Sequence, residues 1–188
     1  RLYDIGDSYS GAYDIIAMKV TRNPDIIEAE PKIRIYGNIH GDERGGLMVA
    51  CEALDWILAN YATDASAQKL VDESELWFIP MGNPDGNSSN SRYNGHGVDL
   101  NRNFSGPEGP SDGAFAFSEP ETAAIRDLTQ VMGKRFATGL SFHGGETCFN
   151  SLWNYTYDAP SDEPVFWSAR TPGSGCSSEN GCLSLAPE

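Results

Sequence analysis

Between residues 31 and 81 the apolar residues change period more than once, and this most limits the folds open to the chain. The run "PKIRIYGNIH" (31–40) is short, apolar and β-branched, with Ile33, Ile35 and Gly37 on one face, and reads as a strand. From Arg44 to Tyr61 the apolar residues Leu47, Ala50, Cys51, Leu54, Ile57, Leu58 and Tyr61 recur at helical spacing. A shorter helix is predicted from Ala65 to Val71, and "LWFIPM" (76–81) returns to a strand. Upstream, "YDIIAMKVT" (13–21) reads as a strand. Downstream, "SEPETAAIRDLTQVMG" reads as a helix with Ser118 and Glu121 as a capping box, and "RFATGLSFH" (135–143) as another strand. Strands alternating with amphipathic helices predict an α/β fold with a mixed, largely parallel sheet flanked by helices. In such sheets a site belongs beyond the carboxyl ends of the strands.

The length of 188 residues suits one domain with a sizeable core. A net charge of −14 argues against nucleic acid or an anionic membrane as partner, because phosphates would be repelled. No apolar run reaches the ~20 residues needed to span a bilayer. The chain starts at Arg1 without a signal segment, which predicts a processed or trimmed N-terminus. Cys51, on the apolar stripe of its helix, is expected to be a buried thiol. Cys176 and Cys182 bracket a polar loop that a disulfide could close, which would favour an extracytoplasmic or secreted protein.

Two of the three histidines end predicted strands in glycine-flanked turns: His40, three residues before Glu43 in "NIHGDE", and His143 in "SFHGGE". Two histidines and a carboxylate with one position left open is the composition of a catalytic zinc site. Glycines beside such ligands allow tight turns and leave room for substrate. The third histidine, His96, competes as a ligand with its reading as a solvated loop residue. A metal-bound histidine needs its other ring nitrogen held, and Asp42, Asp85 and Asp99 are the acids near the motifs. Between the strands, "GNPDGNSSNSRYNGHGVDLNRNFSGPEGPSDGAFAF" is a long polar stretch of the kind that is usually functional or disordered.

The ordered set "IHGDE", "GNPDG", "RYNGHGVDLNRNF" and "SFHGGE" resembles the zinc carboxypeptidases, the metallopeptidases related to carboxypeptidase A and to the carboxypeptidase D, N and E group. "YDIGDSYSGAYDI" is similar to that family's opening strand, "FSEPETAAI" to its helix before the last ligand, and "NSLWNYTYD" to the segment after it. The resemblance implies one zinc held by His40, Glu43 and His143. It implies that Arg92 stabilises the oxyanion of the scissile carbonyl, that Asn101 and Arg102 grip the terminal carboxylate, and that Asp99 orients His40. It also implies hydrolysis of the last peptide bond of a peptide or protein. The family's general base, a glutamate well downstream of the last ligand, has no matching segment after His143, where Glu146 is the nearest acid. Residues 1–188 are therefore expected to form a single catalytic domain incomplete at both ends. A non-catalytic zinc- and peptide-binding domain is one alternative. An aspartoacylase-like deacylase of N-acyl amino acids is the other.

Overall fold

A computed structural model of the chain describes residues 1–26, 28–105, 110–130 and 136–144, and the two short strands 149–150 and 182–183. These fall into two compact units, Arg1–Gly144 and Gly145–Glu188. In the second unit, β6 (Phe149–Asn150) pairs antiparallel with β7 (Cys182–Leu183). Cys176, and with it the Cys176–Cys182 bridge that could close the loop, lies outside the described residues, as does Glu146.

The first unit is built on a five-stranded mixed sheet. Its strands are β1 (Leu2–Asp7), β2 (Asp14–Val20), β3 (Lys32–Gly37), β4 (Glu75–Ile79) and β5 (Thr138–Phe142), in the order β1-β2-β4-β3-β5. The β1–β2 and β2–β4 pairs are antiparallel; β3 runs parallel to both β4 and β5. The sheet is thus parallel on the side where the two histidine turns emerge. Strand β4 is buried along its whole length, as a strand covered on both faces must be. Its alternating side chains feed two cores. Trp77 and Ile79 pack with Ile15, Ala17, Tyr36, Ile125 and Leu128 on one face, where α4 (Pro120–Gln130) lies. Leu76 and Phe78 pack with Ile35, Ala50, Ile57 and Val71 on the other, against α1 (Arg44–Asn60) and α2 (Ala65–Glu73).

Three local expectations change. Strand β3 stops at Gly37 rather than running to His40, because Asn38 turns the backbone left-handed, with φ 54°. Cys51 is exposed, not buried. The face of α1 that meets the sheet is set by Ala50, Leu54 and Ile57, and Cys51 is rotated about 100° from Ala50. The capping box at Ser118 and Glu121 gives way to longer-range partners. Glu121 accepts from Tyr9 N at 2.8 Å and Asn94 Nδ2 at 3.1 Å, while Ser118 Oγ sits 2.9 Å from Asn103 Nδ2.

The long polar stretch is ordered where it is described. Asn83 caps α3 (Pro84–Ser89) by accepting from Gly86 N, Pro84 starts the helix, and Asn90 closes it in a left-handed conformation. A single 3₁₀ turn, Leu100–Arg102, follows. No helix among the described residues is long and apolar enough to cross a membrane.

Candidate metal centre

Parallel pairing brings the two histidine turns together. Gly37, the last residue of β3, lies opposite Phe142, the last residue of β5, so both strands release their chains at the same edge. Helix α1 starts against that edge: a Cβ on Gly46 would fall 2.3 Å from the Phe142 carbonyl oxygen. Glu43, immediately before α1, therefore meets His143 from a hundred residues away.

The carboxylate of Glu43 bridges the histidines. Its Oε1 is 2.8 Å from His40 Nδ1 and its Oε2 is 2.9 Å from His143 Nδ1, and Gly144 N donates to Oε2 at 2.9 Å. One ligand atom from each of the three side chains lies within 4.8 Å of the others. On its far side His40 Nε2 is 3.1 Å from Asp99 Oδ1, and Asp99 Oδ2 accepts from Arg92 Nε at 2.9 Å. Arg92 Nη1 is 3.3 Å from His40 Nδ1 and 3.7 Å from Glu43 Oε1. Burial works against ionisation of Asp99, but the bonds from His40 and Arg92 outweigh it and hold its pKa at about 2. Burial likewise opposes ionisation of Glu43, and the bonds from Gly144, His40 and His143 overcome it, keeping the carboxyl below its ordinary value.

This donor set fits a divalent cation. A carboxylate at Asp99 only accepts, so it commits His40 Nε2 as the donor and leaves the Nδ1 lone pair of a neutral His40 facing Glu43. With those two ring nitrogens unprotonated, as metal ligands must be, they and Glu43 are acceptors converging on a shared point, and a cation satisfies them in place of the protons that otherwise join the imidazoles to the carboxylate. Two histidines and one acid suit zinc.

Of the three acids near the motifs, the fold brings Asp99 to His40. Asp85 is used elsewhere, accepting from Ser8 Oγ, Ser10 N and Ser10 Oγ, and Asp42 is exposed. His96 also goes elsewhere: it stacks on Tyr9 with ring centroids 4.4 Å apart and its Nδ1 is 3.1 Å from Glu119 Oε2. Asn101 and Arg102 are exposed on the 3₁₀ turn that Asp99 caps, joined to the centre through Asn101 N, which donates to Asp99 Oδ1 at 2.9 Å.

Asn103 is a supporting residue that the sequence reading missed. Fully buried, it donates to Asp112 O, Phe115 O and Ser118 Oγ and accepts from Glu119 N and Thr122 Oγ1. It folds residues 110–119 back under the turn that carries Asn101 and Arg102. Its position in "LNRNF" was visible, but an asparagine's burial leaves no mark in a polar string.

The profile of the zinc carboxypeptidase family matches residues 1–177. The chain belongs to the zinc carboxypeptidase family. This carboxypeptidase-family chain is 36% identical over 177 residues to Carboxypeptidase SOL1 of Arabidopsis thaliana, a match covering 90% of the chain but 35% of that protein. It therefore spans about a third of that relative's length. Among solved structures, thrombin activatable fibrinolysis inhibitor has the same fold (TM-score 0.77, 20% identity, 90% of this chain and 48% of that one). Carboxypeptidase A from Helicoverpa armigera does too (TM-score 0.71, 22% identity, 90% and 46%).

The buried Glu121, at the start of α4, makes a pH prediction. Burial of Glu121, reinforced by the nearby charge of Asp85, raises its pKa above the ordinary 4.5 despite the bonds from Tyr9 and Asn94. A raised acid costs the folded state nothing while protonated, and the cost grows as pH rises through 4.5 toward the folded value. Glu121→Gln escapes this titration. Its stability relative to the parent is expected to rise as pH goes from about 4 to about 7. Urea midpoints at both pH values measure it, and a difference that stays constant would sink the prediction.

Proposed function

We propose that this chain carries the metal and carboxylate sites of a zinc-dependent metallocarboxypeptidase, a hydrolase that removes the last residue of a peptide or protein. Residues 1–188 would form part of one catalytic domain. The observation that carries the reading is the convergence of His40, Glu43 and His143, from two strand ends, with Asp99 and Arg92 locked around them.

His40, Glu43 and His143 are the residues that would hold one zinc. When bound, zinc acts as a Lewis acid toward a carbonyl oxygen and acidifies water. Asp99 keeps His40 Nε2–H engaged, fixing the tautomer and the ring plane. The Arg92 guanidinium is part-exposed beside Glu43 and His40, so its N–H groups can meet negative charge developing on a carbonyl oxygen there. Asn101 and Arg102 provide the amide and planar guanidinium suited to a terminal carboxylate, which arginine pairs with bidentately. An internal peptide bond offers no such charge, so anchoring it makes the enzyme an exopeptidase. Peptide and protein C-termini are the partners this implies.

The test is a blocked dipeptide with a free carboxylate, offered to the zinc-loaded chain beside its C-terminal amide and an N-acetyl amino acid. Release of the terminal residue from the free acid is expected, with at least a ~100-fold preference over the amide. Tight binding of the acid without release would instead support a peptide-binding domain, and cleavage of the N-acetyl amino acid alone a deacylase. The absence of both binding and release would overturn the proposal.

A further inference from the structure

The turn that presents His40 is held by two asparagine side chains. Asn38 Nδ2 donates to the carbonyls of His40 at 2.9 Å and Gly41 at 3.2 Å. Asn83 Nδ2 donates to the carbonyl of Ile39 at 3.1 Å, and also reaches the carbonyl of Arg92 at 3.4 Å. Three successive carbonyls, 39 to 41, are thus taken by side-chain amides at the point where β3 has ended and α1 has not begun. Both asparagines are fully buried.

We infer that Asn38 is a positioning residue of the metal centre, its amide clamping the His40–Gly41 backbone so that His40 and Glu43 are held in register for a bound ion. This rests on the proposed reading of His40, Glu43 and His143 as metal ligands. Two features of the site single out asparagine. The backbone at position 38 is left-handed, with φ 54°, a conformation that asparagine and glycine accept more readily than other residues. Glycine would meet that requirement but offer no donor. A flipped amide would set Oδ1 against two carbonyl oxygens, so the donor assignment follows from the chemistry of the partners. Asn38 Oδ1 has no hydrogen-bond partner among the described residues. That buried, unmatched acceptor is a cost that glycine would avoid, and what the asparagine supplies in return is the grip on the ligand turn.

The clamp acts through backbone rather than through the imidazole itself. Asp99 fixes the His40 ring from its Nε2 side, whereas Asn38 fixes the Cα from which the ring projects. Because Glu43 N donates to the His40 carbonyl at 3.1 Å, the same carbonyl links both ligands, and loosening it frees both.

The experiment compares Asn38→Gly with Asn90→Gly, a second left-handed asparagine whose φ is also 54° but whose side chain is exposed at the end of α3. Zinc affinity is measured by chelator competition on the full chain, cobalt(II) visible absorption reports the coordination geometry, and thermal unfolding without metal reports the fold. Asn38→Gly is expected to bind zinc about tenfold more weakly or worse and to show an altered cobalt spectrum. Asn90→Gly is expected to keep the parent affinity and spectrum. Should Asn38→Gly fail to fold, Asn38→Asp tolerates the same backbone but cannot donate, and the same loss is expected of it. Parent affinity and an unchanged cobalt spectrum in a folded Asn38 variant would overturn the inference alone. No zinc on the parent chain would overturn the ligand assignment and the inference with it.

Discussion

Replacing His143 with alanine is expected to weaken zinc binding at least a hundredfold, roughly 3 kcal/mol, while leaving the metal-free fold almost unchanged. The asymmetry follows from where the side chain sits. His143 lies just beyond β5 and belongs to neither hydrophobic core, and its Nδ1 faces Glu43 Oε2 at 2.9 Å. Removing it deletes one of three donors but no part of either hydrophobic core, and a change of this kind costs the fold under about 1 kcal/mol. Elemental analysis after dialysis reads the metal content. Thermal unfolding with and without added zinc reads the linkage, since a ligand that binds only the folded state raises its stability. The parent should gain stability on adding zinc and His143→Ala should not. His96→Ala serves as the contrast, because His96 is engaged with Tyr9 and Glu119 rather than with the centre. One zinc per chain retained by His143→Ala would sink the ligand assignment.

What the sequence made legible was whatever depends on local period and on residue type at an element's end. Strand β4 could be read from "LWFIPM" because a strand buried on both faces carries a near-continuous apolar run, here Leu76 to Ile79. His40 and His143 could be read because each follows an apolar run and precedes glycine. Asp99, by contrast, stood level with Asp42 and Asp85 until the family resemblance favoured it, and only the fold sets the three apart by distance. Its partner His40 is 59 positions away, and no local pattern encodes that separation. Cys51 fails for a related reason. The stripe of α1 is wide enough to include it, yet which part of that stripe meets the sheet depends on how the helix is rotated over β3 and β4. Glu121 fails because a capping box competes with tertiary donors, and Tyr9 N and Asn94 Nδ2 win. The buried asparagines 38, 83 and 103 were hidden most completely, since asparagine in a turn-rich string is ordinarily a surface residue.

Gly41→Ala is expected to destabilise the fold by ~3 kcal/mol and to weaken metal binding as well. The reason is close approach, not conformational freedom. A Cβ at position 41 would stand 1.9 Å from the Gly86 carbonyl carbon, 2.2 Å from Asn87 N and 2.5 Å from Gly86 Cα, all backbone atoms of α3. Helix α3 cannot retreat cheaply. Asn83 both caps it and donates to the Ile39 carbonyl, Arg44 Nη2 donates to the Asn87 carbonyl at 3.2 Å, and Asp42 N donates to the Ser91 carbonyl at 3.1 Å. An added methyl must therefore break some of these bonds or push the His40 turn away from α3. Gly45→Ala, inside α1 with nothing within 4 Å, is the matched control and should gain up to ~1 kcal/mol from helix propensity. Urea unfolding of the metal-free proteins separates the two, and a Gly41→Ala midpoint equal to the parent's would refute the packing argument. The metal effect follows from the same contacts. Arg92 lies shortly after α3 and its carbonyl is held by Asn83, so forcing the ligand turn and α3 apart also parts His40 from the guanidinium that joins Asp99 beside it.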